Sequence, residues 1–247
     1  MGRLAVVACQ AASLAALVLA WHVAVRTGLA DPLFVPAPDA VATVLGTTAR
    51  EALPRLGDTL LKALLGYVLA VGLGVTGGLL LGSRRLVHAV AMPYVVAAYG
   101  VPKILVLPWI ALILGLGTST AVLTATLFAV FPILLMVAAG VRDVDPTLVT
   151  AAVSMGATRG QVSRKVLLPA VLPSVLAGMR VGIVFAMLGV LLAEMFAGTR
   201  GMGFLMQRMA MAFKASELFA ATLIVSILSI VVVLSLEHLN QRLSRWR

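Results

Sequence analysis

Charged residues are scarce in this chain of 247 residues: 11% are Asp, Glu, Lys or Arg, against about 25% in an average soluble domain. Hydrophobic residues make up 62%, and a soluble fold of this length cannot hide that much apolar surface, because much of its chain stays exposed. The single cysteine, Cys9, excludes a disulfide-stapled secreted domain. The composition therefore excludes a soluble enzyme and a disordered chain, and it predicts an all-α, polytopic membrane protein.

Motifs for catalysis and nucleotide binding are also missing. The sequence has no Gly-Lys pair and therefore no phosphate loop of the ATPase type. It also lacks the Gly-x-Ser-x-Gly and His-Glu-x-x-His patterns of hydrolases. The three histidines, His22, His88 and His238, are scattered and predict no metal site. We therefore expect that this chain is not an enzyme and binds no cofactor itself.

Six apolar stretches predict six membrane-spanning helices, since about 20 apolar residues cross a hydrocarbon core roughly 30 Å thick. They lie at residues 4–25, 58–82, 86–114, 121–140, 174–198 and 218–236, with a tight turn at 115–120 before the fourth. The whole chain, 1–247, is predicted to form one transmembrane domain. Between the first two stretches, residues 28–57 are predicted to form an outer loop that contains a short surface helix at 39–52.

The third stretch is unusual because it is long and contains three prolines. Its 29 residues would extend about 43 Å as a straight helix, at a rise of 1.5 Å per residue. Pro93, Pro102 and Pro108 each remove a backbone donor and crowd the preceding turn. We therefore expect a bent or broken helix here.

The distribution of basic residues predicts the orientation. The formal net charge is +10, and the short Ser83-Arg84-Arg85 turn and the basic C-terminal tail lie on the same side of the membrane as the N-terminus. Short basic loops mark the cytoplasmic side, so both termini are predicted to be cytoplasmic. Lys62 is counted with the basic residues of the outer side. Topology and contact with lipid head groups account for the charge, so nucleic acid is not expected as a partner.

Glycines and two charges stand out within the stretches. Gly74, Gly78 and Gly82 recur every four residues and predict a bare helix face against which another helix packs closely. Lys103 and Glu194 are predicted to lie at similar depths, so we hypothesise that they form a charge pair or line a translocation path. The alternative is that each side chain extends separately to the membrane surface.

The one long polar loop, residues 141–172, has an ordered pattern. Asp145 is a good N-cap for a helix that begins at Pro146, and Gly156 is a typical C-terminal stop. A second helix is predicted to start at Thr158, with Gln161 completing a capping box, and to end at Pro169 and Pro173. Such a helix pair either docks a soluble partner or rests on lipid head groups, and periodicity alone does not decide between them.

The loop resembles a known motif. Thr150-Ala151-Ala152-x3-Gly156-x9-Val166-x-Leu168-Pro169 is similar to E-A-A-x3-G-x9-I-x-L-P, the EAA loop of ABC-importer permeases, with Thr150 in place of the usual Glu. The segments 101–117, 140–146 and 192–194 resemble the branch of these permeases that handles nitrate, sulfonates, taurine and related compounds.

The resemblance implies a type I permease fold in a bacterial inner membrane, and a solute that is a small anion or related compound. It implies three partners: a second permease copy, an extracytoplasmic solute-binding protein, and a cytoplasmic ATP-binding subunit that holds ATP and magnesium. The residues implied to couple this chain to the ATP-binding subunit are Thr150, Ala151, Ala152, Gly156, Ala157, Arg159, Val166, Leu168 and Pro169. The alternatives are a stand-alone secondary transporter or channel, and a membrane anchor that does not transport.

Overall fold

The computed structural model describes residues 3–243, and it describes their side chains except at positions 3, 4, 159 and 239–243. Over this range the chain is helical, with a 3-10 turn and a π-helical turn between α-helices. The α-helices are α1 (Arg3–Arg26), α2 (Pro38–Ser83), α3 (Arg85–Gly100), α4 (Leu107–Leu114), α5 (Thr118–Arg142), α6 (Pro146–Ser154), α7 (Arg159–Val162), α8 (Leu168–Ala197), α9 (Met202–Met211) and α10 (Ala215–Leu243). The all-α prediction is confirmed.

Six helical segments are long and apolar enough to cross a membrane. Five are the single helices α1, α2, α5, the α7–α8 rod and α10, and the sixth is a broken pair. That pair joins residues 85–100 to 103–114 and bends by 82°, next to Pro102. The predicted break is therefore confirmed. We call the end of the bundle that carries α6 the loop end, and the opposite end the α9 end.

The predicted break between a surface helix at 39–52 and a span from 58 is wrong, because helix α2 begins at Pro38 and runs unbroken through Pro54 to Ser83. The surface helix and the second span are therefore one helix of 46 residues. Burial of a neighbouring residue offsets the backbone donor that Pro54 lacks: Ala52 is fully buried in a cluster with residues of α9 and α10.

Helix α5 lies at the centre of the bundle, between α2 and α8. Glycines on both neighbouring helices allow this close approach: the Ile133 side chain occupies the space in front of Gly74 on one side and Gly182 on the other. A Cβ atom added at Gly78 would lie 2.6 Å from the Cβ of Val137, and one at Gly82 would overlap Val141. The structure thus places Gly74, Gly78 and Gly82 against α5.

Gly66, on the same face of α2, offers a matched test of this packing. A Cβ atom at this position would lie 2.5 Å from the Cβ of Ala125 and 2.8 Å from the carbonyl oxygen of Val122. We expect Gly66→Ala to lower the free energy of unfolding by about 1–3 kcal/mol, because overpacking forces neighbouring atoms apart. The measurement is the thermal melting temperature of the purified protein in detergent.

Gly72→Ala is the control, since no atom lies within 4 Å of a Cβ added there. Alanine is favoured over glycine in a helix by up to about 1 kcal/mol, so this variant should melt at the same temperature or higher. Equal melting temperatures for both variants would contradict the close packing of α2 on α5.

The predicted helix end at Pro169 and Pro173 is wrong. Helix α7 passes through a π-helical turn, Ser163–Leu167, directly into α8. In this turn the backbone N–H of Leu168 donates to the carbonyl oxygen of Ser163, which shifts the hydrogen-bond register. Pro169 then falls in the first turn of α8, where a missing N–H costs little. The loop and the span that follows it therefore form one continuous rod.

Candidate functional site: a projecting loop and a buried charge cluster

The loop between α5 and α8 begins with the predicted cap. The Asp145 carboxylate accepts a hydrogen bond of 2.8 Å from the backbone N–H of Thr147, and Pro146 occupies the first turn of α6. Hydrogen bonds from the side chain and backbone of Thr147 hold the pKa of the Asp145 carboxyl group below its usual value. The cap is therefore ionised at neutral pH and stabilises the start of α6.

The turn between α6 and α7 depends on glycine. Gly156 has φ +83°, in the left-handed region that residues with a Cβ atom rarely adopt, and the Ala157 N–H donates to the carbonyl oxygen of Ala152. The predicted capping box follows: the Thr158 N–H donates to Gln161 Oε1 at 2.8 Å, and the Gln161 N–H reaches Thr158 Oγ1 at 3.4 Å. Both helix starts are thus fixed by local hydrogen bonds.

One face of α6 is apolar and exposed. Leu148 and Met155 are seven residues apart, on the same side of the helix, and are 50% and 87% exposed. The main contacts of α6 are with α7 and the π-helical turn, so it projects from the bundle. We call the stripe of Leu148, Ala151, Ala152 and Met155 the α6 face. An exposed apolar surface of this kind on an ordered element is typical of an interaction site.

The other residues singled out by the motif lie along the same segment. Thr150 is exposed on the opposite side of α6 and donates its hydroxyl to the carbonyl oxygen of Pro146. Val166 and Pro169 are half-buried and Leu168 is exposed. The side chain of Arg159 lies outside the described residues, as do the tail residues Arg245 and Arg247.

The α9 end holds a buried charge cluster. Glu194, in the last turn of α8, is 0% exposed, and Lys62 of α2 is 2% exposed. The Lys62 ammonium donates to Glu194 Oε1 at 2.8 Å, to Asp58 Oδ2 at 2.9 Å and to the carbonyl oxygen of Arg200 at 3.1 Å. An ammonium has three N–H donors, so all of them are used. The Arg200 guanidinium, 3.3 Å from Asp58, makes the cluster neutral overall.

The cluster also holds the start of α9. Thr59 donates its hydroxyl to Glu194 Oε2 at 2.8 Å and accepts a bond of 2.8 Å from the Met202 N–H. The Gly203 N–H donates to the same carboxylate oxygen at 3.0 Å. Gly201 has φ +110°, and a Cβ atom there would overlap the Glu194 carboxylate. The Thr59 hydroxyl and the Glu194 carboxylate thus each provide a partner for one of the N–H groups that a helix start leaves free.

The hypothesised contact between Lys103 and Glu194 is wrong. Lys103 donates to the carbonyl oxygen of Tyr99, which the helix break frees, and lies over the rings of Tyr99 and Phe131. Glu194 does not extend to the surface either, since it is completely buried. Equal depth did not predict the pairing, because Glu194 faces α2 and Lys103 packs against α3 and α5. A role for either residue in a translocation path stays a prediction.

Sequence reasoning missed Lys62 and Thr59. The charge pattern places Lys62 only among the basic residues of the outer side. The one signal available was its spacing of four residues from Asp58, which places the two charges on one face of a helix. In the described part of the chain, no three His, Cys, Asp or Glu side chains come together as metal ligands.

The helical bundle, the projecting loop and the internal charges define a polytopic membrane transport subunit. The chain belongs to the family of binding-protein-dependent transport system inner membrane components, whose profile matches residues 70–245. It is a permease subunit of an ABC importer. The chain is therefore a transport subunit and not a catalytic one, and the alternative of a stand-alone transporter or channel is wrong.

Individual relatives agree with this assignment. The taurine transport system permease protein of Escherichia coli (strain K12) is 29% identical over 241 residues, which cover 95% of this chain and 88% of the relative. The putative aliphatic sulfonates transport permease protein of Bacillus subtilis (strain 168) is 26% identical over 235 residues, 94% of this chain and 85% of that protein. The formylaminopyrimidine transport permease protein of Halalkalibacterium halodurans is 26% identical over 232 residues, 94% of this chain and 92% of that protein.

A solved structure confirms the fold. The MetNI methionine ABC transporter in an inward-facing conformation contains a chain that aligns with a TM-score of 0.69 at 20% identity. The alignment covers 78% of this chain and 95% of the other. The fold is that of a type I ABC importer permease, and an ABC importer requires an ATP-binding subunit as partner.

Proposed function

We propose that the segment from Pro146 to Pro169 is the coupling element of this permease and that the α6 face docks on the ATP-binding subunit. The exposure of Leu148, Ala151 and Met155 on the α6 face carries this proposal, since these side chains project from the bundle on a helix with both ends capped. ATP and magnesium would be held by the partner, because this chain has no phosphate loop. The loop end would then be cytoplasmic, in agreement with the basic Arg84 and Arg85 at the same end.

The continuous rod from α7 into α8 supports a mechanism of coupling. Residues 159–197 cover about 58 Å at a rise of 1.5 Å per residue, which exceeds the thickness of a hydrocarbon core. A movement imposed on α7 by the ATP-binding subunit would therefore reach the α9 end without a flexible joint. The Glu194 cluster would pass that movement to α2 and α9, since its hydrogen bonds join the three helices there.

The remaining partners follow from the family and from the exposed surface. Helix α1 is apolar and exposed around its circumference: Leu14, Leu17 and Leu19 point in different directions and are each more than 60% exposed. We propose that this surface meets lipid and a second copy of the chain in a homodimer. An extracytoplasmic solute-binding protein would deliver the solute to the α9 end. The relatives named for taurine and aliphatic sulfonates support a small anion or related compound as solute.

A charge on the α6 face tests the docking proposal. We expect Met155→Glu to weaken association with the ATP-binding subunit by about tenfold or more, because a buried interface disfavours an unpaired carboxylate. The measurement is the amount of ATP-binding subunit that co-purifies with the tagged permease in mild detergent, together with the ATPase activity of the preparation.

Thr150→Glu is the matched control, because it places the same charge on the opposite side of α6. It also installs the residue that the EAA pattern carries at this position. Association should be retained in this variant. If Met155→Glu binds the ATP-binding subunit as well as the unchanged chain does, while both melt at the same temperature, the α6 face is not the docking surface.

A further inference from the structure

The Lys103 side chain places a positive charge next to the middle of a membrane-spanning helix. Its ammonium lies 5.3 Å from the centre of the Phe131 ring. Phe131 lies 13 residues after Thr118 and 11 before Arg142, the two ends of α5. The ammonium donates to the carbonyl oxygen of Tyr99, which lies four residues back towards the loop end. The side chain therefore points away from the α9 end, unlike a lysine that extends to the membrane surface there.

This charge has no counter-ion within the chain. Of the three N–H donors of an ammonium, one binds the Tyr99 carbonyl oxygen at 2.9 Å. The other two have no hydrogen-bond or ion-pair partner among the described residues. The rings of Tyr99 and Phe131, at 4.4 and 5.3 Å, stabilise a cation but do not neutralise it. Because a charge within a membrane is costly unless it is paired or borders water, Lys103 requires an anion that this chain does not supply.

The broken span that carries Lys103 is open on one side. Helix α3 and the 3-10 turn Lys103–Val106 contain no buried residue. No atom lies within 4 Å of a Cβ added at Gly100, the residue directly after Tyr99. The span bends by 82° next to Pro102, and broken backbone at membrane depth is tolerated only where it is buried in protein or lines a water-filled cavity. The two unpaired donors of Lys103 favour the water-filled cavity.

We infer that Lys103 binds the anionic group of the solute inside the membrane, while the rings of Tyr99 and Phe131 hold the ammonium in place. The two unpaired donors fit two oxygens of a small oxyanion group such as a sulfonate or a carboxylate, in charge-assisted hydrogen bonds. A single ammonium binds such a group weakly enough to release it, as a transport site requires. This inference rests on the proposed transport function, because it assigns the solute contact within the same pathway.

Cysteine labelling beside Lys103 tests the site. In a Cys9→Ser background, which removes the single native thiol, Gly100→Cys places a thiol next to the peptide group that Lys103 binds. The protein is used as the complex with its ATP-binding subunit in lipid nanodiscs, without nucleotide and with ATP and vanadate. The probes are two membrane-impermeant methanethiosulfonates, one with a sulfonate and one with a trimethylammonium group, and each rate is divided by its rate with free cysteine. In at least one state we expect the sulfonate reagent to react at least fivefold faster. Sodium sulfate should slow its reaction at least threefold relative to sodium gluconate at the same ionic strength.

Variants of Lys103 separate its charge from other effects. Lys103→Gln should lower the ratio of the two labelling rates at least fivefold, whereas Lys103→Arg keeps the charge and should keep the ratio. Arg50→Gln is the matched control, because Arg50 is exposed on α2 at the α9 end and the substitution removes the same charge far from the site. Its ratio should stay within twofold of the unchanged value. If Lys103→Gln does not fold, as judged by its melting temperature, the competition by sulfate in the chain that retains Lys103 decides alone.

The outcomes separate the anion site from the transport function. A rate ratio that is the same with Lys103 and with Lys103→Gln overturns the site. Slow reaction with both charged reagents in every state also overturns it, because the break then borders no water. A ratio that depends on Lys103 but does not respond to sulfate overturns it as well, since a fixed group of a second copy then neutralises the ammonium. A chain that purifies without an ATP-binding subunit contradicts the proposed function, while labelling of the permease alone in nanodiscs still tests the anion site.

Discussion

Lys62→Met is expected to cost about 3–5 kcal/mol of unfolding free energy, the usual penalty for breaking a buried ion pair. Without Lys62, the fully buried Glu194 carboxylate keeps the Thr59 hydroxyl and the Gly203 N–H as donors but has no cation beside it. Removing the charge of Glu194 should lower the stability less, since Lys62 would still pair with Asp58 at 2.9 Å. Glu194→Gln should therefore cost clearly less than Lys62→Met.

The double variant gives the most specific result. With Lys62→Met and Glu194→Gln together, no uncompensated charge stays buried, and we expect most of the lost stability to return. The measurement is thermal melting of the four proteins of this double-mutant cycle in the same detergent. Arg180→Met is the control, because Arg180 forms an exposed ion pair with Glu237, in which the two side chains are 50% and 32% exposed. This pair should contribute no more than about 1 kcal/mol to the free energy of unfolding.

Additive effects in the cycle would contradict a direct pairing of Lys62 with Glu194. A cost for Glu194→Gln that exceeds the cost for Lys62→Met would contradict the role of Asp58 as second partner. Either result would require a different arrangement of α2 and α8 at the α9 end.

The parts of the structure that short-range rules determine were predictable from the sequence. The caps at Asp145 and Thr158 and the stop at Gly156 each depend on residues within a few positions of one another, and the structure has all three. The break near Pro102 follows from the same kind of local rule. The course of α2 through Pro54 was not predictable in this way, because the burial of Ala52 against α9 and α10 outweighs the local cost of the proline.

The charge cluster shows more clearly what could not be predicted from the sequence. Lys62 and Glu194 are 132 residues apart, and their contact depends on which faces of α2 and α8 meet. Depth in the membrane can be counted from a helix end, but rotation about the helix axis depends on packing with neighbouring helices. The glycines of α2 indicated that another helix packs closely against them, but the sequence did not identify α5 as that helix. The partner of a buried charge therefore had to come from the structure.

Gly156→Ala is expected to uncouple ATP hydrolysis from transport. Gly156 has φ +83°, and no atom lies within 4 Å of a Cβ added there, so the substitution tests the backbone conformation alone. A left-handed conformation costs a residue with a Cβ atom about 1–2 kcal/mol, which a change in the angle between α6 and α7 would relieve. That change turns the α6 face away from the rod that continues into α8.

The measurement is solute uptake per ATP hydrolysed in proteoliposomes, and we expect it to fall about tenfold, the factor that corresponds to 1.4 kcal/mol at 25 °C. Gly156→Asn should retain most of the activity, because asparagine tolerates the left-handed region. Gly160→Ala is the control within the same segment: Gly160 lies in α7 with no atom within 4 Å of an added Cβ, and alanine favours the helix. Equal uptake by Gly156→Ala and Gly160→Ala would mean that the turn at Gly156 does not set the direction in which α6 transmits force.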